Sequence, residues 1–154
     1  MILTNKQEQG LKTAVERFRN RKKYTVISGY ADSGKSTLVK FIVASLGVAE
    51  DAVCYATFTG KAAQVLLKKG NKNVSTLHKL LFEHFPKPDG GFLRKPVADI
   101  PYDIVIVDEF SMVDIWLFEK LLNAINGNDL KYFLIKGLLI CRFTLLLNNC
   151  RRAK

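Results

Sequence analysis

The 154-residue chain is the length of one domain, long enough to bury a proper core. Its 48% apolar and 25% charged content is that of an ordinary globular protein and excludes a low-complexity polymer. The 24 Lys and Arg exceed the 14 Asp and Glu, and a net charge of +10 favours a polyanionic partner, most commonly nucleic acid. Clusters such as Arg17/Arg19/Arg21/Lys22/Lys23 and Lys68/Lys69/Lys72 lie near element ends and equally fit a solvated surface.

In chain order, residues 4–20 read as a helix with Leu11, Ala14, Val15 and Phe18 on one face. Thr4 and Gln7 stand as a capping box at its start. A strand over 24–28 runs into a helix over 35–46 that Gly47 stops. A second buried strand is expected over 52–57, then a helix over 61–69 ending at Gly70. A short helix follows over 75–82, with Ser75 as its N-cap. The prolines and glycines of 85–101 predict loop chemistry, with a small hairpin around Pro88-Asp89-Gly90-Gly91. Residues 103–108 form a near-continuous apolar strand of the kind buried on both faces. A helix over 113–125 turns Trp116, Leu117, Leu121 and Leu122 inward, and a last strand begins at Tyr132 and covers at least 132–135. The alternation predicts an α/β fold with a doubly wound, mainly parallel sheet.

Between the first strand and its helix lies Gly29-Tyr30-Ala31-Asp32-Ser33-Gly34-Lys35-Ser36, an unbroken G-x-x-x-x-G-K-[ST] loop in the strand–loop–helix setting that motif requires. Backbone N–H groups from Ser33 to Ser36 and the positive end of the helix hold a row of phosphates. Gly34 lets the backbone approach, Lys35 reaches the outer phosphates, and the Ser36 hydroxyl is placed to ligate Mg²⁺. Gly29, Ala31, Asp32 and Thr37 complete the expected cradle for ATP. Asp108 and Glu109 end the strand over 103–108, at the carboxyl edge where the phosphate loop also sits. Asp108 is expected to bind the Mg²⁺ and Glu109 to orient the attacking water; without the loop, two solvated acids would explain them equally well.

The run Asp108-Glu109-Phe110-Ser111-Met112-Val113-Asp114 resembles motif II of the RecD-like and Dda-like branch of superfamily-1 DNA helicases, in which Ser-Met follows the acidic pair. Thr59-Gly60-Lys61-Ala62-Ala63 resembles the family's motif Ia, Ser75 to Leu81 the segment after it, and Leu3-Thr4-Asn5-Lys6-Gln7 the opening motif. The resemblance spans about 3–135 and implies a RecA-like P-loop NTPase core that moves 5′→3′ along single-stranded DNA. It further implies that Gln7 hydrogen-bonds adenine and that Thr59, Gly60, Lys61, Ser75, Thr76 and His78 touch DNA. Phe92 falls where family members carry a wedge hairpin, here a reduced one over 82–102. Gln7 also has a complete role as a capping partner, His78 also fits an apolar helix face, and Phe92 also fits an ordinary loop aromatic.

Two departures stand out. Asp32 occupies a position where the family has glycine; aspartate tolerates left-handed backbone, but its charge beside a triphosphate predicts weakened ATP affinity. After Ile135 the family presents Gly-Asp and then Gln, whereas here Lys136-Gly137-Leu138 opens an atypical tail over 136–154. The expectation is a truncated product, its frame displaced near residue 135, without the second helicase domain and its arginine finger, which contributes roughly 10³–10⁵ in rate. Such a chain binds Mg-ATP, hydrolyses slowly, does not unwind duplex, and self-associates through the apolar stretch 143–147. The rival from another class is a non-catalytic nucleotide- or DNA-binding remnant with a regulatory role. A small P-loop kinase is disfavoured by the absence of a recognisable arginine-clustered lid. Three cysteines without metal-ligand spacing, no cleavable signal after Met1 and no confident membrane span predict a reducing, cytoplasmic setting.

Overall fold

The computed structural model describes residues 3–30, 32–127 and 132–137. Helix α1 (Asn5–Arg19) begins at Thr4, whose hydroxyl accepts from Gln7 N–H while Gln7 Oε1 accepts from Thr4 N–H at 2.9 Å. That reciprocal cap satisfies two donors a helix start otherwise leaves open. Strand β1 (Tyr24–Ser28) leads to α2 (Lys35–Leu46), which ends on Gly47 at φ +66°. Then come β2 (Val53–Thr57), α3 (Gly60–Lys68), β3 (Val74–Thr76) and α4 (Leu77–Leu81). A hairpin of β4 (Phe82–Pro86) and β5 (Phe92–Pro96) precedes β6 (Ile104–Asp108), α5 (Ile115–Gly127) and β7 (Tyr132–Gly137).

Five strands form one parallel sheet in the order β1-β7-β6-β2-β3, and the hairpin is a separate antiparallel pair. Alternation along the central strands sends side chains to two cores. Val53, Ile104, Ile106, Tyr132 and Leu134 join α1 and α2 on one face. Cys54, Ala56, Val105, Val107 and Ile135 join α4 and α5 on the other. Helices thus cover both faces, which is why Ile104 to Val107 are all buried and read as an unbroken apolar run. The α/β, doubly wound parallel architecture is the expected one.

Tyr132 ties the first helix to the sheet. Its hydroxyl donates to Ala14 O at 3.2 Å and hydrogen-bonds Thr25 Oγ1, to which Arg17 Nε donates at 2.9 Å. Phe18 meets the Tyr132 ring edge-on, with centroids 5.3 Å apart.

Three expectations are corrected. Ser75 does not cap a helix: it lies in β3, pairs with Ala56, and leaves the capping of α4 to Thr76 Oγ1, which accepts from Lys79 N–H. Trp116 is not an inward residue like Leu117 and Leu121; it is 46% exposed and stacks on Phe82 at 5.4 Å. Lys136 and Gly137 belong to β7, where they pair with Ile27 and Ser28, not to a tail. The apolar stretch 143–147, assigned a role in self-association, lies outside the described residues. Among the described residues, no helix is long and apolar enough to cross a membrane.

Candidate nucleotide-binding site

The loop after β1 turns into α2 through Gly34, the helix N-cap, at φ +77° with no side-chain hydrogen bond at the cap. The N–H groups of the first helical turn therefore keep no intrahelical acceptor and gather positive potential at the loop. Lys35 Nζ donates to Gly29 O at 2.8 Å and also contacts Tyr30 O, so its ammonium lies folded across the loop's own carbonyls. Glycine suits both ends of the loop, and at Gly34 the positive φ favours it. A Cβ on Gly29 would stand 2.9 Å from Ser33 Oγ, and one on Gly34 would stand 2.5 Å from Gln7 Nε2. Gln7 Nε2 donates to Ser33 O at 3.3 Å, which fastens α1 to the loop. Its amide still holds one donor and one acceptor position after these bonds. Asp32 adopts φ +55°, the left-handed conformation its short polar side chain was expected to tolerate. Ala31 lies outside the described residues, and Thr37 sits half-buried in the first turn of α2.

Across the cavity, β6 ends at Asp108. Its Oδ1 accepts from Glu109 N–H at 2.8 Å, and Glu109 itself takes a left-handed backbone (φ +53°, ψ +46°). Such a conformation in a residue other than glycine costs on the order of 1–2 kcal/mol and recurs at functional sites. Asp32, Lys35, Ser36, Asp108 and Glu109 all line one cavity of about 750 Å³, together with Lys136. The two distant segments do meet at one sheet edge.

The Mg²⁺ expected between Ser36 and Asp108 meets an obstacle. Lys136 Nζ donates to Ser36 Oγ at 2.9 Å and to Asp108 Oδ2 at 2.9 Å. Mg²⁺ demands about six oxygens at roughly 2.0–2.1 Å, and an ammonium already occupies the hydroxyl and the carboxylate oxygen expected among them. In this arrangement the residues hold a lysine rather than a metal ion. Lys136 was assigned to a tail from the sequence; its only signal is a lysine closing an apolar strand at the edge where ligands gather.

The residues expected to touch DNA fall into two groups. Thr59 caps α3, accepting from Ala62 N–H at 3.2 Å, with Gly60 and Lys61 exposed in the first turn. Thr57 pairs with Thr76, so Thr59–Lys61 and Ser75–Thr76 leave the same sheet edge on neighbouring strands. His78 is half-buried against the Phe58 ring, with centroids 5.7 Å apart. Phe92 stands apart on the hairpin, 68% exposed.

A family model described as an AAA domain (AAA_19) matches residues 11–137. The chain belongs to this AAA domain family. It is 32% identical over 127 residues to the ATP-dependent DNA helicase Dda of Enterobacteria phage T4, covering 80% of this chain and 29% of that protein. It is 38% identical over 103 residues to the ATP-dependent RecD2 DNA helicase of Deinococcus radiodurans, covering 65% of this chain and 13% of that one. The RecBCD enzyme subunit RecD of Mycolicibacterium smegmatis is 29% identical over 127 residues, covering 66% and 22%. The chain therefore spans less than a third of the length of each of these relatives. What it shares with them is a P-loop domain of the RecD- and Dda-like helicase type, as its motifs implied.

Proposed function

We propose that this chain supplies the ATP-binding and ATP-hydrolysing unit of a DNA helicase that moves 5′→3′ on single-stranded DNA. The observation that carries the reading is the convergence of Lys35 and Ser36 with Asp108 and Glu109 on one cavity. In it, the open N–H groups of the α2 N-terminus and Lys35 hold the triphosphate. Gln7, with its remaining donor and acceptor, reads the adenine edge, and Glu109 orients the water that attacks the terminal phosphate. Single-stranded DNA runs along the edge formed by Thr59, Gly60, Lys61, Ser75 and Thr76, beside His78, and Phe92 stacks on bases from the hairpin, a contact that contributes about 1–3 kcal/mol where it forms. Lys136 already bridges Ser36 and Asp108.

The same lysine bridge favours a second reading, a domain that binds nucleotide and DNA without turnover. Measuring ATP hydrolysis with and without single-stranded DNA separates the two. Stimulation by DNA that Glu109→Gln abolishes supports the helicase-type ATPase. Nucleotide binding with no turnover under either condition supports the second.

A further inference from the structure

The sheet order places the end of β7 between the phosphate loop and the acidic edge. Lys136 pairs with Ile27 of β1, and its neighbour Ile135 pairs with Val107 of β6. From there the ammonium reaches Ser36 Oγ and Asp108 Oδ2, each at 2.9 Å, and joins the first turn of α2 to the end of β6. The side chains of Lys136 and Asp108 are each only 15% exposed, so the pair is shielded from the water and salt that weaken surface ion pairs. The other Asp108 oxygen already accepts from Glu109 N–H. Both carboxylate oxygens thus have a donor before any ion arrives.

We propose that Lys136 is a tethered cation that takes the place of the divalent ion, so that the site binds a nucleoside triphosphate without requiring Mg²⁺. The inference rests on the ATP reading of this cavity. A tethered group competes at an effective concentration set by its tether, whereas a free ion must shed tightly held water and displace the ammonium from the carboxylate oxygen and hydroxyl it bridges. The lysine balances the Asp108 carboxylate, which would otherwise repel a triphosphate, and Lys136 and Lys35 both line the cavity. It supplies its charge as a hydrogen-bond donor with no geometric demand for six ligands.

Fluorescence titration with N-methylanthraniloyl-ATP, once in excess EDTA and once in excess Mg²⁺, tests the proposal on the unmodified chain. The expected dissociation constants differ by less than about threefold, well under the tenfold that 1.4 kcal/mol represents. A larger advantage for Mg²⁺ overturns the proposal while leaving the ATP reading intact. Absence of binding in both media overturns the ATP reading and the proposal with it. In Lys136→Met, and in Lys136→Gln as a polar second variant, the freed Asp108 oxygen accepts the ion, and the ratio of the two constants is expected to rise at least about tenfold. A folded variant whose ratio stays at that of the parent chain overturns the proposal, and the parent titrations decide it alone if neither variant folds.

Discussion

A Cβ on Gly34 would sit 2.5 Å from Nε2 of Gln7, closer than non-bonded atoms tolerate. The glutamine that caps α1 therefore also sets how much room the phosphate loop has. Gly34→Ala must bear a left-handed backbone, which costs about 1–2 kcal/mol by itself, and must push the flexible end of Gln7 away from its bond to Ser33 O. We expect a fall in thermal midpoint of at least about 2–4 °C and loss of ATP binding. Adding Gln7→Ala should recover only the clash, and a double-mutant cycle by calorimetry reads that coupling directly.

Asp32 separates strain from charge. Replacing it with glycine relieves a left-handed aspartate but raises the entropy of the unfolded chain by a comparable ~0.5–1 kcal/mol, so stability should change little. ATP affinity should rise several-fold, because a carboxylate leaves the edge of the cradle. Asp32→Asn, which removes only the charge, should give the same gain. Equal nucleotide affinity for all three proteins, measured by titration, would assign Asp32 no electrostatic role.

Tyr132→Phe removes one buried hydroxyl that bonds Ala14 O and Thr25 Oγ1. Arg17 continues to serve Thr25, so the loss should be about 0.5–1.5 kcal/mol in urea denaturation, with no change in ATP binding. Tyr132→Ala, which also empties the space beside Phe18, should cost about 3–5 kcal/mol.

Cys54 is fully buried, and burial pushes its thiol from 9.0 up to about 12. The folded thiol stays neutral where the unfolded one ionises. Stability from this group is therefore complete below pH 9 and falls as pH rises from there towards 12, by up to about 1.4 kcal/mol per pH unit. Buried Tyr132, also shifted upward by burial, adds to the decline. Denaturant midpoints at pH 8 and pH 10.5 should show this loss, and Cys54→Ala should reduce it. A thiol reagent should label Cys54 only upon unfolding.

Much of this architecture is written locally. The Thr4–Gln7 cap, the glycine-bounded loop and the Gly47 stop each carry their own geometry, so α1, β1 and α2 appear where their residues demand. The acidic pair was legible because an apolar strand must end at the sheet edge. Ser75 and Thr76 were not separable locally, since either hydroxyl can cap; pairing of Ala56 with Ser75 decides between them. Trp116 adjoins Leu117 in sequence, but a helix rotates neighbours by about 100°, and its ring finds Phe82 of the hairpin instead. Lys136 was the least visible. Its role depends on β7 lying between β1 and β6, a long-range order that no short stretch encodes.

The central claim is that a triphosphate binds between the α2 N-terminus and the end of β6. An amide-resolved NMR titration with ATP tests it most directly. The account predicts that the backbone resonances of Ser33, Gly34, Lys35 and Ser36 shift together with those of Asp108 and Glu109, and that Lys35→Ala abolishes the shifts. Shifts confined to other parts of the sheet, or none at saturating ATP, would contradict it.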